Sequence, residues 1–243
     1  MGIFVHILSS RKKLNITSLS MTGAYHTGIN KENQDSVYHA DKNGVYVISL
    51  ADGVSECSEA RCGAETASSA ITNLLLNKGN YLLGFEKNKI AEMTLSHIKA
   101  ELEYRAVSDD KDIKEYSSTV AGVFYDRKTE TLLSINLGDS MIIAVENGCC
   151  RIFSMPSDST MGCCVTTTHN AEKDLSVNIV NASGIEAMII FSDGAWKHLF
   201  ERNRLKSEII HIFENQEYDR LKKYLSESNS FDDCSFIALD MRK

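Results

Sequence analysis

Two apolar segments that lie far apart in this 243-residue chain each end on an Asp-Gly pair. The first, GVYVISLA at residues 44–51, runs into Asp52 and a glycine, and the second, EAMIIFS at residues 186–192, runs into Asp193 and a glycine. Continuous apolar runs of this length are typical of strands that are buried on both faces. An Asp-Gly pair alone is first of all a turn signal. The pattern therefore predicts two core strands that stop at acidic turns.

Strand and helix patterns occur in blocks along the rest of the chain. Helical periodicity is found at residues 59–79, 87–107, 194–200, 204–214 and 216–226. Strand patterns are found at residues 18–26, 36–40, 44–51, 118–126, 131–139, 140–148, 150–154, 175–180, 186–192 and 234–241. Residues 155–174 are polar, show no period and are expected to be a loop. Blocks of strands and helices, instead of a strict alternation, favour an α+β fold with antiparallel sheets.

Composition excludes several classes of protein. A hydrophobic content of 43% with a single proline indicates a compact folded chain. The net charge of −7 argues against nucleic acid or an anionic membrane as a partner. Seven cysteines without a CxxC motif indicate reduced thiols. We expect a cytoplasmic monomer with an N-terminal extension at residues 1–17, too short in apolar length to cross a membrane, and a single domain at residues 18–243.

Aspartates mark the ends of the predicted strands. Asp52, Asp139 and Asp193 each close a strand, Asp232 opens one, and Asp35 precedes another. Strand ends converge at one rim of a sheet, where several carboxylates at short range repel one another and raise each other's pKa. A divalent cation removes that conflict, and hard oxygen ligands suit Mg²⁺ or Mn²⁺. The pattern thus predicts a divalent metal site built from strand ends.

Five short motifs, taken in order, resemble a known enzyme family. They are NQD at 33–35, ADGVSECSEARCGAETAS at 51–68, SINLGDS at 134–140, IIFSDGAWKHL at 189–199 and DDCSFIAL at 232–239. Their order and spacing over residues 18–241 resemble the successive motifs of the metal-dependent PP2C (PPM) protein phosphatases. The opening GAYHTGINKENQD is similar to that of a bacterial subgroup with a G-x-x-H…Q-D pattern.

The resemblance implies an architecture and a metal centre. It implies two antiparallel sheets packed as a sandwich that is flanked by pairs of α-helices. It also implies two Mn²⁺ or Mg²⁺ ions, which Asp52 would bridge while Gly53 supplies its carbonyl to one of them. Asp193 and Asp232 would complete the other ion's ligands, and Asp35 would act through metal-bound water.

A third, weaker ion is linked in the family to the position of Asp139. Asp233, beside a ligand, is expected at the surface or as a neighbour of the metal ligands. The resemblance thus gives Asp35, Asp52 and Asp193 as catalytic candidates. The candidate metal ligands are Asp35, Asp52, Gly53, Asp193, Asp232 and Asp139.

The sequence departs from the family pattern at three positions near the site. Gln34 stands where a glutamate is usual, Asn30 where an arginine usually binds phosphate, and Val54 where some members carry a histidine that is a proposed general acid. Lys31, next to Asn30, is a candidate replacement for the arginine, although as a point charge and not as a planar fork. These departures bear on rate and substrate choice.

His26 is a further candidate. A histidine at a strand end is more often packed or exposed than functional. Its place in the subgroup's opening motif makes it a candidate neighbour of the ligands or a phosphate contact. Together, Lys31, Asn30 and His26 are the candidate substrate-binding residues.

The leading functional prediction is hydrolysis of phosphoserine or phosphothreonine in proteins by a metal-activated water. The partners would be a phosphorylated protein substrate and a cognate serine/threonine kinase. Two alternatives remain open: a catalytically weak or inactive module that binds a phosphoprotein in signalling, favoured by Asn30 and Gln34, and a protein with purely structural Ca²⁺. Ca²⁺ prefers dense ligand loops such as an EF-hand, and the sequence contains none.

Overall fold

The computed structural model describes residues 13–155, 164–202 and 204–242. Within these residues the strands follow the predicted order along the chain, except for two short strands at residues 200–201 and 204–205, which were not predicted. They are β1 Asn15–Met21, β2 Asp35–Lys42, β3 Val45–Asp52, β4 Val120–Asp126, β5 Thr131–Leu137, β6 Met141–Glu146, β7 Cys149–Ser154, β8 Ser176–Asn181, β9 Ile185–Phe191, β10 Phe200–Glu201, β11 Arg204–Leu205 and β12 Cys234–Asp240.

A short first helix lies between β1 and β2, and the other helices lie in two blocks that separate groups of strands. They are α1 Ala24–Gly28, α2 Ala60–Leu82, α3 Lys87–Ser108, α4 Asp193–Trp196, α5 Ser207–Asn215 and α6 Tyr218–Ser226. In the described part of the chain, no helix is both long and apolar enough to cross a membrane.

Ten of these strands form two antiparallel sheets of five. Sheet I has the order β2-β3-β4-β5-β8, and sheet II has the order β1-β12-β9-β6-β7. One apolar cluster, which includes Ile48 and Val123 of sheet I and Ile190 and Ile237 of sheet II, fills the space between them. The predicted α+β sandwich of two antiparallel sheets is therefore confirmed.

Each sheet carries a pair of helices on its outer face. Successive residues of β3 alternate between two apolar clusters: Ile48 faces sheet II, whereas Val47 packs with α2 and α3. Alanines and glycine on the sheet side of α2 allow the helix to lie close to sheet I. On the other side, α5 and α6 pack against sheet II through residues such as Ile212 and Leu221. The central strands of the two sheets, such as β3, β4 and β9, are buried on both faces, which explains their continuous apolar sequences.

The N-terminal strand pattern is only partly correct. The strand predicted at residues 18–26 ends at Met21, and His26 belongs to the short helix α1. The predicted start of the domain, residue 18, lies inside β1. The N-terminal extension is described only from residue 13 onward, and residues 156–163 of the predicted loop lie outside the described residues.

The C-terminal helix pattern also differs in detail. The helix predicted at residues 194–200 is α4 followed by a single 3-10 turn. The helix predicted at residues 204–214 starts at Ser207, because its first residues pair with residues 200–201 as a two-stranded hairpin.

Helix α2 continues past Gly79, where glycine was expected to end it. Gly79 lies against sheet I, and a Cβ atom at this position would be 2.3 Å from the ring of Phe124, which is itself buried. The glycine therefore permits close packing of the helix on the sheet and does not act as a terminator.

Replacing Gly79 with alanine tests this explanation. Helix propensity alone would stabilise the variant by about 1 kcal/mol, whereas overpacking a full core costs about 1–3 kcal/mol. We expect a net loss of up to about 2 kcal/mol in the free energy of unfolding, measured by urea denaturation. Gly84→Ala is the matched control, since its Cβ would meet nothing closer than 3.4 Å. A more stable Gly79→Ala variant would contradict the packing explanation.

Candidate metal centre

The sheet topology brings the predicted acidic strand ends to one rim of the sandwich. In sheet II, Phe191 at the end of β9 pairs with Met141 at the start of β6 and with Phe236 near the start of β12. Asp193 follows the end of β9, and Asp232 precedes the start of β12. Antiparallel pairing therefore places these two aspartates at the same end of neighbouring strands.

Sheet I contributes two aspartates that face each other across a hairpin. Asp35, the first residue of β2, pairs directly with Asp52, the last residue of β3. Directly opposed residues have Cβ atoms about 4.5–5.5 Å apart, and like charges at such positions destabilise a sheet. The Asp35 side chain is buried. The hairpin thus holds two carboxylates together at a cost that a cation would remove.

Burial and neighbouring charge change the ionisation of these groups. Burial, followed by the negative charges of Asp233 and Asp193, raises the pKa of Asp35 to about 8. Burial, followed by the charge of Asp35, raises the pKa of Asp52 well above its ordinary value. Both shifts have the direction expected for carboxylates that lack a compensating positive charge.

The connection between the sheets carries Asp139. Residues 138–140 link β5 of sheet I to β6 of sheet II, and the carbonyl of Asp139 accepts a hydrogen bond from Trp196 Nε1 at 2.9 Å. Burial, followed by the charge of Asp193, raises the pKa of Asp139 and also that of Asp232. Asp139 therefore lies in the same field of negative charge as the strand-end aspartates.

The two Asp-Gly pairs share a structural reason for their glycines. A Cβ atom on Gly194 would be 2.1 Å from the carbonyl oxygen of Asp233, and one on Gly53 would be 2.3 Å from the carbonyl oxygen of Ala60. Any side chain would push the backbone segments apart. Glycine thus lets the segment after Asp193 lie against the start of β12, and the segment after Asp52 lie against the start of α2.

The residues present fit a divalent cation, although their side chains alone do not form a complete set of metal ligands. Oδ1 of Asp193 is buried without a hydrogen-bond partner, and both carboxylate oxygens of Asp35 are buried without a partner at ordinary hydrogen-bond geometry. Burial, which raises the pKa of Asp35, outweighs the hydroxyls of Ser235 and Ser192, which lower it. Buried polar atoms are normally paired, and unpaired carboxylate oxygens suit a hard cation. Among the described residues, no three His, Cys, Asp or Glu side chains are close enough to hold a metal by themselves. A cation would have to draw the carboxylates together and recruit backbone oxygen or water.

Of the two places expected for Asp233, at the surface or as a neighbour of the metal ligands, its burial excludes the surface. Asp233 is 2% exposed, and its carboxylate accepts hydrogen bonds from the backbone N–H of Gly23 at 2.8 Å and of Gln34 at 2.6 Å. Its Oδ2 is also 2.9 Å from Nδ1 of His26, which is equally buried. These contacts join β12 to the segment that leads into Asp35. The arrangement favours a positioning role for His26 over a contact with phosphate.

The candidate phosphate contacts lie beside this rim. Lys31 Nζ donates to the carbonyl of Ser55 at 2.5 Å, on the loop that follows Gly53. Asn30 is exposed and has a left-handed backbone, with φ of 54°. Asn30 and Lys31 line an open cleft that is also bordered by Gln34. The structure therefore places the Lys31 charge next to the loop after Asp52. The neighbouring residue Asn30 is exposed to solvent.

Sequence reasoning missed one charged residue at the rim. Lys197 Nζ donates to Asp193 Oδ2 at 2.6 Å. The two residues are four positions apart on a helical turn, and this spacing between an acidic and a basic residue is a signal that could have revealed the contact.

Comparison with known proteins gives a family match over most of the chain. The sequence model described as protein phosphatase 2C matches residues 22–228. Among curated proteins, no sequence matches this chain significantly.

Solved structures show the same fold at low sequence identity. The serine/threonine phosphatase Stp1 from Staphylococcus aureus is 13% identical, with a TM-score of 0.67 over 96% of each chain. The Mycobacterium tuberculosis serine/threonine phosphatase PstP/Ppp is 14% identical, with a TM-score of 0.66 over 95% of this chain and 99% of that one. RsbX in complex with magnesium is 15% identical, with a TM-score of 0.55 over 93% of this chain and 94% of that one.

Repulsion at the rim predicts that removing one charge stabilises the metal-free protein. Because the pKa of Asp52 is raised on folding, the folded state loses stability as pH rises from the unfolded pKa through the folded one. In EDTA, Asp52→Asn should therefore raise Tm by about 2–6 °C near pH 8 and by less near pH 5, measured by calorimetry. Glu103→Gln, on an exposed position of α3, should change Tm little at either pH. A Tm that falls at the higher pH would contradict the repulsion.

Proposed function

Since this chain belongs to the protein phosphatase 2C family, we propose that it hydrolyses phosphoserine and phosphothreonine in proteins when two Mn²⁺ or Mg²⁺ ions are bound at the rim. The observation that carries the proposal is the pair Asp35 and Asp52, which are directly opposed and both have raised pKa values, Asp35 being buried and Asp52 partly buried. RsbX, of the same fold, was crystallised in complex with magnesium, and this supports the choice of cation.

Each acidic residue has a proposed place around the ions. Asp52 would be the ligand shared by both ions, because the charges of aspartates from both sheets act on its carboxylate. Gly53 would offer its backbone carbonyl, and Asp193 and Asp232 would hold the ion on the side of sheet II. Asp35 would contribute through water. The bound ions would supply a water of lowered pKa and stabilise negative charge on the phosphoryl oxygens.

The chain's own residues then decide how the substrate is oriented. Lys31 is the proposed phosphate contact, because its ammonium group lies on the loop after Gly53. Asn30 offers a neutral amide that cannot attract a dianion at range. The side chain of Val54 has no ionisable group and cannot act as a general acid. The proton for the leaving serine or threonine oxygen therefore has to come from water. The substrate is a phosphorylated protein, and a serine/threonine kinase would have placed the phosphate.

A non-catalytic module that binds phosphoproteins is the second candidate. Asn30 and Gln34 favour it, since they lower the charge that would orient phosphate and hold a metal-bound water. The carboxylates that converge at the rim favour the enzyme, because a binding module has no need for acidic residues that repel one another. They are Asp35, Asp52, Asp193 and Asp232.

Metal-dependent turnover is the first expected outcome. The protein should hydrolyse a phosphothreonine peptide with Mn²⁺ and lose this activity in EDTA. Asp52→Asn should lower kcat/KM by about 100-fold or more, because it removes an interaction of several kcal/mol from the transition state. Asp41→Asn, at the far end of β2, serves as the control and should retain activity.

The outcomes separate the two candidates. Saturable peptide binding without turnover under any metal would favour the binding module, whereas activity that is unchanged in EDTA would refute the metal mechanism itself.

The role of Lys31 can be tested through substrate affinity. A charged hydrogen bond contributes about 1.5–3 kcal/mol, so Lys31→Ala should raise KM for phosphopeptide about 10-fold or more while kcat changes little. Asn30→Arg should lower KM, since a guanidinium fork suits phosphoryl oxygens. Lys42→Ala, at the end of β2, is the control for a lost surface charge. Unchanged kinetics in Lys31→Ala would show that this lysine only holds the loop in place through the carbonyl of Ser55.

A further inference from the structure

The Lys197 ammonium group forms an ion pair with one carboxylate of the candidate metal centre. Its Nζ is 2.6 Å from Oδ2 of Asp193. It also interacts electrostatically with Asp232 and with Asp139. These three aspartates come from the end of β9, the start of β12 and the link between the sheets, so the lysine faces carboxylates from three separate segments.

The backbone that carries Lys197 is fixed in place. It follows directly on α4, whose first residue is Asp193, so the pair is spaced as i and i+4. Trp196, the preceding residue, donates from Nε1 to the carbonyl of Asp139 at 2.9 Å. This bond holds the turn against the link between the sheets. The ammonium group is therefore directed to the rim by a short, anchored segment.

The charge of the centre leaves room for one monovalent cation. The five aspartates at 35, 52, 139, 193 and 232 would carry five negative charges when ionised. A sixth carboxylate, Asp233, already has its own partners in His26 Nδ1 and the backbone N–H groups of Gly23 and Gln34. Two divalent ions supply four positive charges, and the Lys197 ammonium supplies the fifth. A third divalent ion would give an excess of positive charge and would compete with the lysine for Asp193 and Asp139.

We propose that Lys197 takes the place of a third divalent ion, so that this chain binds two Mn²⁺ ions where its carboxylates could otherwise hold three. The inference rests on the metal centre of the proposed function. It assigns Lys197 the role of fixing the number of bound ions, and it leaves Asp139 facing an ammonium group and not a metal.

The competing explanation is an ordinary surface ion pair. The Lys197 side chain is 55% exposed, while Asp193 is 13% exposed, and exposed ion pairs contribute little. In that case the lysine would swing into solvent when metal binds, and its removal would leave the number of bound ions unchanged.

Counting the bound ions distinguishes these explanations. Mn²⁺ is titrated to millimolar concentration, and the free ion is quantified by electron paramagnetic resonance. Wild type should bind two ions per chain, as should Lys197→Arg, which keeps the charge. Lys197→Met should bind three, and the third should be lost again in Lys197→Met/Asp139→Asn. Lys89→Met removes a lysine paired with Glu92 on the outer helix α3 and should bind two.

The failures of this inference and of the proposed function are distinguishable. Three ions in wild type, or two in Lys197→Met, would overturn the role of Lys197 while leaving the metal centre intact. Binding of no Mn²⁺ by wild type would overturn the metal centre and this inference together.

Discussion

Electrostatic repulsion between buried carboxylates is the constraint on which the rest of this structure depends. The hairpin of β2 and β3 places Asp35 opposite Asp52, and the pairing of β9 with β12 brings Asp193 next to Asp232. A chain that needed only stability would not place acidic residues at these positions, because their negative charges repel one another. The sandwich holds them there by burying a large apolar core between two sheets and two helix layers.

The backbone makes this convergence possible by approaching closer than side chains would allow. Gly53 and Gly194 each follow an aspartate, and a Cβ atom on either would be 2.3 Å or less from a carbonyl oxygen of another segment. The buried carboxylate of Asp233 also holds the segments together, since it accepts hydrogen bonds from the backbone N–H groups of Gly23 and Gln34. Together these contacts fix the positions of the segments that carry the rim aspartates, as a preorganised site requires.

Local patterns predicted the parts of the fold that depend on local physics. The β2–β3 hairpin, the helices α2 and α3, and the acidic strand ends all follow from periodicity and turn chemistry. The burial of Asp233 could not be predicted, because its partner Gly23 is 210 positions away in sequence. The length of α2 was misjudged because Gly79 is explained by the ring of Phe124 on another element. The contact between Lys197 and Asp193 could have been predicted from the sequence, since their spacing is that of a helical ion pair.

The most direct test of the central claim is a crystal structure of the protein grown with Mn²⁺, with anomalous diffraction measured at the manganese absorption edge. The account predicts two anomalous peaks at the rim between the sheets, both adjacent to Asp52 and one of them adjacent to Asp193. A difference map without a peak at this rim, from crystals that contain saturating Mn²⁺, would contradict the claim that these carboxylates converge in order to hold metal.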